Sequence, residues 1–286
     1  MANLRQIRRR IRSVENTAKI TRAMEMIAAS KMRRAQQRVL AGRPYAEKMR
    51  EVLADLAAQP RGGGLDQPLL EYRDVENIGI VHITPDRGMC GGLNTNLNRN
   101  AGQFIVDNEA PVHLITVGRK GRDFMVRYNR DVKAVFTDMG DNPGLEDVLP
   151  IAHLVIQDYA DRKIDRVYLS YARFINTAVQ RPVMEQLLPV EPAPLEASQA
   201  VGYIYEPSST EVLGALLPRF VEMEIYHALL EAVASEQSAK MVAMHNATDN
   251  AHDMLDDLTL LKNKVRQDTI TRELLDIVGG AAALEG

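Results

Sequence analysis

The six histidines, the single cysteine and, among the serines, Ser170 and Ser198 are the first candidates in this 286-residue sequence for a metal ligand or a nucleophile. The histidines, at positions 82, 113, 153, 227, 245 and 252, show neither the H-E-x-x-H spacing of a zinc site nor a repeated flanking pair of carboxylates. Ser170 and Ser198 lack the G-x-S-x-G turn that exposes a nucleophilic serine, and Cys90 has no recognisable partner. We therefore predict no catalytic residue, no metal site and no cofactor.

A glycine-bearing loop follows the first apolar strand pattern, in the segment NIGIVHITPDRGMCGGLN. Backbone amides in such a loop can hold a phosphate group. The glycines at 88, 91 and 92, however, match neither the G-x-G-x-x-G nor the G-x-x-x-x-G-K-S/T spacing. We interpret the segment as a contact loop, in which glycine lets the backbone turn tightly against a partner, and not as a nucleotide site.

The middle of the sequence alternates strand patterns with helical patterns, which predicts an α/β sheet that is partly parallel. The strand patterns cover residues 78–83, 112–117, 132–136 and 166–173, with a helix at about 94–107. Residues 166–190 are typical of an antiparallel hairpin that turns near Asn176 and edges the sheet. The predicted fold class is α+β, with a Rossmann-like α/β middle domain.

Proline and glycine divide the chain into three parts. Eleven of the thirteen prolines lie between Pro44 and Pro218, so both ends can form very long helices. We predict an N-terminal coiled-coil helix at 1–58, an α/β domain at 75–206 and a C-terminal coiled-coil helix at 209–286, with a linker at Gly62–Gly64. Gly42 and Pro44 are expected to bend or interrupt the first helix.

Both end segments repeat apolar residues at alternating spacings of three and four, the period of a left-handed coiled coil. The first seam, with two polar exceptions, consists of Leu4, Ile7, Ile11, Val14, Ala18, Thr21, Glu25, Ala28, Met32, Ala35 and Val39. The second contains Met241, Met244, Thr248, Ala251, Leu255, Leu258 and Val265, with Lys262 and Thr269 as exceptions. Because each helix adjoins the middle domain, the two must run antiparallel, with facing residue numbers that sum to roughly 267.

This pairing leaves about 20 residues of the second helix, roughly 30 Å, beyond the end of the first. The overhang is apolar in several directions, at Ile270, Leu274, Leu275, Ile277, Val278, Ala281, Ala282, Ala283 and Leu284. One alternative is a frayed, disordered tail, although such tails are usually polar and charged. An apolar projecting helix instead predicts a surrounding sleeve made by other subunits.

The formal net charge of −3 conceals an asymmetry, since residues 1–50 contain 14 Lys or Arg against 3 Asp or Glu. A basic arm that binds nucleic acid is one hypothesis. Eleven of these basic residues, from Arg5 to Arg38, avoid the seam, whereas a basic-zipper protein places its basic block before its heptads. A second hypothesis is a free-standing α/β enzyme with a helical arm, which would need a pocket of convergent ionisable groups.

Three motifs closely resemble the γ subunit of F-type ATP synthases. They are IRRRIRSVENTAKITRAMEMIAASKMRRA at 7–35, DRGMCGGLN at 86–94, and NATDNAHDMLDDLTLLKNKVRQDTITRELLDIVGGAAAL at 246–284. The resemblance implies a non-catalytic central rotor shaft whose antiparallel coiled coil turns inside a ring of three α and three β subunits. It also implies an α/β foot beside the ε subunit and the membrane ring of c subunits, peripheral to the cytoplasmic face of a bacterial plasma membrane, without nucleic acid or direct membrane insertion.

Matched to the family's motifs, four positions are expected to contact the β subunits. Met24 falls where the shaft meets an acidic β loop, Arg266 and Gln267 fall at a polar catch, and Cys90 lies in a loop close to β. The apolar tip, expected to run in a smooth apolar bearing, includes Leu274, Leu275, Ile277, Val278 and Leu284. Lys262, where the family usually has an aromatic residue, and Asp268, where a small residue is common, depart from the pattern.

Overall fold

The computed structural model describes residues 4–58, 67–191 and 205–285, with side chains except at 43, 57–58 and 281–285. These residues form five α-helices, five strands and one short 3-10 helix, Pro68–Leu70. The helices are α1 (Leu4–Ala58), α2 (Leu93–Asp107), α3 (Arg119–Arg127), α4 (Leu145–Ala160) and α5 (Ser209–Glu285). The strands are β1 (Ile78–Ile83), β2 (Val112–Val117), β3 (Val132–Phe136), β4 (Arg166–Phe174) and β5 (Gln180–Leu188). In this described part, no helix is both long and apolar enough to cross a membrane.

The chain forms two compact units, one of Met1–Ile27 with Met241–Gly286 and one of Ala28–Lys240. The larger unit contains a five-stranded sheet in the order β3-β2-β1-β4-β5. Strands β1 to β4 are parallel, and Ile78 of β1 lies between Val112 of β2 and Arg166 of β4. Strand β1 is buried at every position, as expected of a central parallel strand. The predicted strands and the partly parallel α/β sheet are thus confirmed.

The edge strand β5 pairs with β4 in antiparallel orientation through a tight hairpin. Asn176 forms the turn, because its Oδ1 accepts hydrogen bonds from the backbone N–H groups of Ala178 and Val179, both at 2.9 Å. Such an Asx turn is the local chemistry for which asparagine is favoured at turns. The hairpin predicted near Asn176 is confirmed.

Both faces of the sheet are covered by helices. One core is formed by β1, β2, β4 and β5 with α4, the end of α1 and the first third of α5, and its fully buried residues include Val81, Val155, Leu188, Leu217 and Ile225. The opposite core packs α2 and α3 on the other face and contains Ile80, Ala101, Leu114 and Met125. The first third of the long C-terminal helix is therefore part of the core of the α/β unit.

In the smaller unit, α1 and α5 run antiparallel along the two predicted seams. The hydroxyls of Thr21 and Thr248 lie 2.7 Å apart and are buried, and Glu25 Oε1 lies 3.2 Å from His245 Nδ1. The residue numbers of the threonine pair sum to 269, close to the expected value. Every predicted seam position of α1 is buried or half-buried, so the coiled coil of the N- and C-terminal helices is confirmed.

Neither Gly42 nor Pro44 interrupts α1, which runs from Leu4 to Ala58, so of the two expected outcomes the interruption was wrong and the bend stays a prediction. A proline inside a helix removes one N–H and frees the carbonyl four residues earlier, here that of Leu40. Leu40 is exposed, so water can reach this region of the helix. The cost of the proline is thereby reduced, and the helix continues.

Candidate functional site

The carboxyl ends of β1 and β4 are where an open α/β sheet of this order usually binds a ligand, because the chain connections leave in opposite directions there. In this protein α5 lies across that crevice. What remains is a cavity of about 40 Å³ between Thr84, Gly118 and Gly140 on the sheet side and Leu229, Val233 and Glu236 of α5. A ligand pocket usually measures at least roughly 300 Å³, so this space is large enough only for water.

The N-terminus of α3 is the nearest place where backbone amides could hold a phosphate. Side chains of the protein already occupy these donors. Asp86 Oδ1 accepts from Arg119 N at 3.0 Å, Thr84 Oγ1 accepts from Gly121 N at 2.8 Å, and Asp86 Oδ2 accepts from the N–H of Asp138 at 2.9 Å. A fixed carboxylate takes the place of a bound anion, which leaves this crevice without a nucleotide-binding position.

Three buried residues reproduce the residue types of a Ser-His-Asn triad. His82 Nδ1 lies 2.9 Å from Ser170 Oγ, and His82 Nε2 lies 2.9 Å from Asn98 Oδ1. Because an amide oxygen only accepts, Nε2 carries the proton and the serine hydroxyl donates to Nδ1. His82 and Ser170 are both 0% exposed, so no substrate can reach them and the network is structural.

Stability should fall at acid pH because of His82. Burial lowers its pKa from 6.5 to about 4, while the hydrogen bond that His82 donates to Asn98 opposes the shift slightly. The unfolded chain therefore binds more protons than the folded chain between these values, and about 3 kcal/mol of stability present above pH 6.5 is lost as pH falls through 4. Urea unfolding at several pH values should show this loss.

The matched variant is His82→Gln, which keeps hydrogen-bonding capacity without a group that titrates in this range. Its free energy of unfolding should depend less steeply on pH between 6.5 and 4 than that of the unsubstituted chain. Identical slopes for the two chains would show that His82 does not control the acid sensitivity.

In the glycine loop, the exposed side chain is that of Met89 and not that of Cys90, the residue that the sequence suggested. Cys90 is 1% exposed and packs against Leu93, Leu97 and Ala239, and this burial raises the pKa of its thiol. Met89, with a positive φ of 64°, is turned outward and largely exposed. Met89 is therefore the side chain of this loop that is available to a partner, and the unusual backbone angle at Met89 has no signature in the sequence.

The surface of the coiled coil around Met24 combines apolar and basic groups. Met24 itself is half-buried, while Ile20, Met26 and Ile27 on the same helix are exposed. A groove of about 360 Å³ on this unit is lined by Glu15, Ala18, Lys19, Arg22, Ala23, Met26, His252 and Leu255. These exposed apolar residues of α1, which sequence reasoning did not single out, could have been found because they lie off the predicted seam.

The end of α5 carries a dense group of exposed apolar side chains. Residues 266–280 are all exposed, and Leu274, Leu275, Ile277 and Val278 are between 57% and 67% exposed. The side chain of Leu284 lies outside the described residues. Large apolar side chains at this density on a surface mark a protein–protein contact.

Arg266 and Gln267 lie at the start of this exposed stretch and are both exposed. The contact of Glu25 with His245 places Met24 near the level of His245. Arg266 lies roughly 30 Å farther along α5, since each helical residue rises 1.5 Å. The structure therefore does not bring Met24 and Arg266 together, and the two would contact a partner at different levels.

Among the described residues, no group of three or more His, Cys, Asp or Glu side chains could hold a metal ion. The other histidines with acidic neighbours form ion pairs or short chains, of which His227 with Glu231 is half-buried. His113 Nδ1 lies 2.5 Å from Asp131, and His245 lies between Glu25 and Asp249. The candidate site is accordingly the exposed surface of the coiled coil around Met24, together with the apolar end of α5.

The family model described as ATP synthase matches residues 3–284. An ATP synthase gamma chain of Dehalococcoides mccartyi is 59% identical over 284 residues, which cover 99% of this chain and 100% of the relative. That of Chloroflexus aurantiacus is 51% identical over 288 residues and covers 99% of both chains.

Solved structures agree with these matches. A chain from the central stalk and c-ring of the Tetrahymena thermophila mitochondrial ATP synthase is 28% identical, with a TM-score of 0.62, covering 80% of this chain and 99% of that one. A chain of the Euglena gracilis mitochondrial ATP synthase, at 21% identity and a TM-score of 0.69, shares the fold over 98% of this chain and 94% of its own. Neither the nucleic-acid hypothesis nor the free-standing enzyme finds support in these proteins.

Proposed function

Because this chain belongs to the family of ATP synthase gamma chains, non-catalytic rotor subunits of that complex, we propose that its coiled coil turns inside a ring of three α and three β subunits. Its α/β domain would adjoin the ε subunit and the membrane ring of c subunits, at the cytoplasmic face of a bacterial plasma membrane. The observation that carries this proposal is the exposed apolar end of α5, which needs a sleeve of protein around it.

The shaft acts without making or breaking bonds. Its surface differs from side to side, since basic, acidic and apolar residues occupy different faces of the two helices. Each orientation therefore presents different contacts to each β subunit, and a conformational equilibrium shifts only through such differences in contact free energy. Rotation driven by ions in the membrane ring is thereby converted into changes of nucleotide affinity.

The assignment of individual contacts forms part of the proposal. The basic surface near Met24 suits an acidic β loop that slides past, because charge attraction needs little geometric specificity. Arg266 and Gln267 would form a polar catch, in which the guanidinium of Arg266 can bind a carboxylate through two hydrogen bonds. The loop of Cys90 would approach β through the exposed Met89.

The decisive experiment is reconstitution of this chain with α and β subunits from its own source. The expected product is a complex that hydrolyses ATP and in which a bead attached to the α/β domain rotates. A chain that stays alone in the presence of α and β would contradict the proposal. Salt-sensitive binding of DNA or RNA, or nucleotide binding by the isolated chain, would favour one of the two alternative hypotheses instead.

Replacement of Met24 by lysine should hinder rotation. The added ammonium group would form an ion pair of about 1 kcal/mol with the acidic loop, which slows each passage roughly fivefold. Met254→Lys is the control, because it adds the same charge at an exposed position of α5 farther along the coiled coil. The rate of ATP-driven ion pumping should fall for Met24→Lys only, and equal rates in both complexes would remove Met24 from the contact.

A further inference from the structure

One turn of α5 carries three buried polar residues, Ser235, Gln237 and Ser238. Buried polar groups are almost always hydrogen-bonded, and here the partners belong to the α/β domain. Ser235 Oγ donates to the carbonyl of Ala172 at the end of β4 at 2.8 Å, and Ser238 Oγ donates to the carbonyl of Thr177 in the hairpin turn at 2.8 Å. Two points of the β4–β5 hairpin, at the carboxyl edge of the sheet, thus hold this turn of α5.

The third residue reaches a different loop, between β3 and α4. Gln237 Nε2 donates to Asp141 Oδ1 at 2.9 Å, and the other carboxylate oxygen of Asp141 lies 2.5 Å from Lys31 Nζ of α1. One carboxylate therefore bonds both long helices, one with each oxygen. We call the set of Ser235, Gln237 and Ser238 of α5, Lys31 of α1 and Asp141 the polar collar.

The loop that carries Asp141 is itself fixed. Asp138 and Gly140 adopt positive φ angles of 62° and 74°. The Asp138 N–H donates to Asp86 at 2.9 Å, and its carboxylate pairs with Arg119 of α3. The residues just before Asp141 are therefore held by contacts within the α/β domain that do not involve the two long helices.

Next to the polar collar the helices contact each other and the domain through small apolar residues. Ala35, Val233 and Ala234 form a buried cluster against Phe174. Apolar contacts are not directional, so such a surface resists separation far better than it resists turning of a helix about its own axis. Hydrogen bonds weaken steeply as their angle departs from linear, so the polar collar fixes the rotational position of α5 and, through Lys31, of α1.

We propose that the polar collar is the place where turning force passes between the α/β domain and the two helices, with Asp141 as the positioning residue that joins them. The inference rests on the proposed rotor function. Lys31 and Gln237 both lie within about one helical turn of the ends of the larger unit, Ala28–Lys240. The polar collar is thus among the last contacts of that unit before both helices leave it.

The test uses the complete complex in sealed vesicles. The membrane potential is followed with a voltage-sensitive dye, which responds whether protons or sodium ions are pumped. Asp141→Ala should retain ATP hydrolysis but lower the potential generated per ATP hydrolysed by about twofold or more, because two directional bonds are lost. Asp141→Asn keeps an acceptor for Gln237 and loses the ion pair with Lys31, so it should fall between Asp141→Ala and the unsubstituted complex.

Val233→Ala is the matched control, because it weakens the neighbouring apolar cluster without removing a directional bond. It should lower the thermal stability while the potential per ATP stays unchanged. The inference is overturned if Asp141→Ala couples normally, or if Val233→Ala uncouples to the same extent. Failure of the unsubstituted complex to assemble or to pump would instead count against the proposed function.

Discussion

Gly118→Ala is expected to leave the α/β domain only marginally stable, because it should lower the free energy of unfolding by about 4 kcal/mol. An added Cβ would lie 1.9 Å from the carbonyl oxygen of Thr84, which is backbone and cannot move aside. The φ of Gly118 is also +95°, a conformation that residues with a side chain rarely adopt. Urea denaturation followed by circular dichroism measures the loss.

Gly42→Ala provides the control within the same chain. Nothing lies within 4 Å of a Cβ added at Gly42, which is inside α1. Alanine should therefore raise the free energy of unfolding by roughly 0.5–1 kcal/mol, since glycine loses more backbone entropy in a helix. If the two substitutions had similar effects, the close approach of β1 and β2 at Thr84 and Gly118 would be in error.

The complex with the α and β subunits should fail to form when the apolar end of α5 is made polar. The variant replaces four residues with glutamine: Leu274, Leu275, Ile277 and Val278. Burial of each such side chain contributes about 1.5–3 kcal/mol, and every 1.4 kcal/mol is tenfold in affinity, so binding to α and β should fall by at least roughly 100-fold. Sedimentation of the mixed subunits would show the separate species.

The isolated chain should not change, because these four side chains are exposed and contribute little to its own folding. Its helicity and melting temperature therefore separate an assembly defect from a folding defect. Asp276→Asn, in the same stretch, is the control that alters an exposed polar residue and should leave assembly intact. Full assembly of the glutamine variant would show that the end of α5 needs no sleeve.

The features that could be predicted from sequence are those set by local periodicity. Apolar runs such as Ile78–Ile83 bounded by turn residues identified the strands, because a buried parallel strand is apolar at nearly every position. The spacing of three and four identified both helical seams and their antiparallel pairing, to within about two residues of the level at which Thr21 meets Thr248. The apolar overhang followed from the unequal lengths of the two helices.

What could not be predicted depends on contacts between distant segments. Ser170, His82 and Asn98 come from β4, β1 and α2, and nothing local to any of them shows that they meet. The burial of Cys90 depends on Ala239 of α5, which lies far away in sequence. The role of Asp141 is hidden for the same reason, because its partners are contributed by both ends of the chain.

The paired hydroxyls of Thr21 and Thr248 also set the axial register of the two helices. One threonine hydroxyl donates to the other, and the hydroxyl that accepts then donates to a carbonyl of its own helix, that of Ala18 for Thr21 or that of Met244 for Thr248. A slip of one heptad would move the helices past each other by roughly 10 Å and would place each threonine opposite a different seam residue. The contact between the two hydroxyl groups therefore also determines how much of α5 projects past the N-terminus of α1.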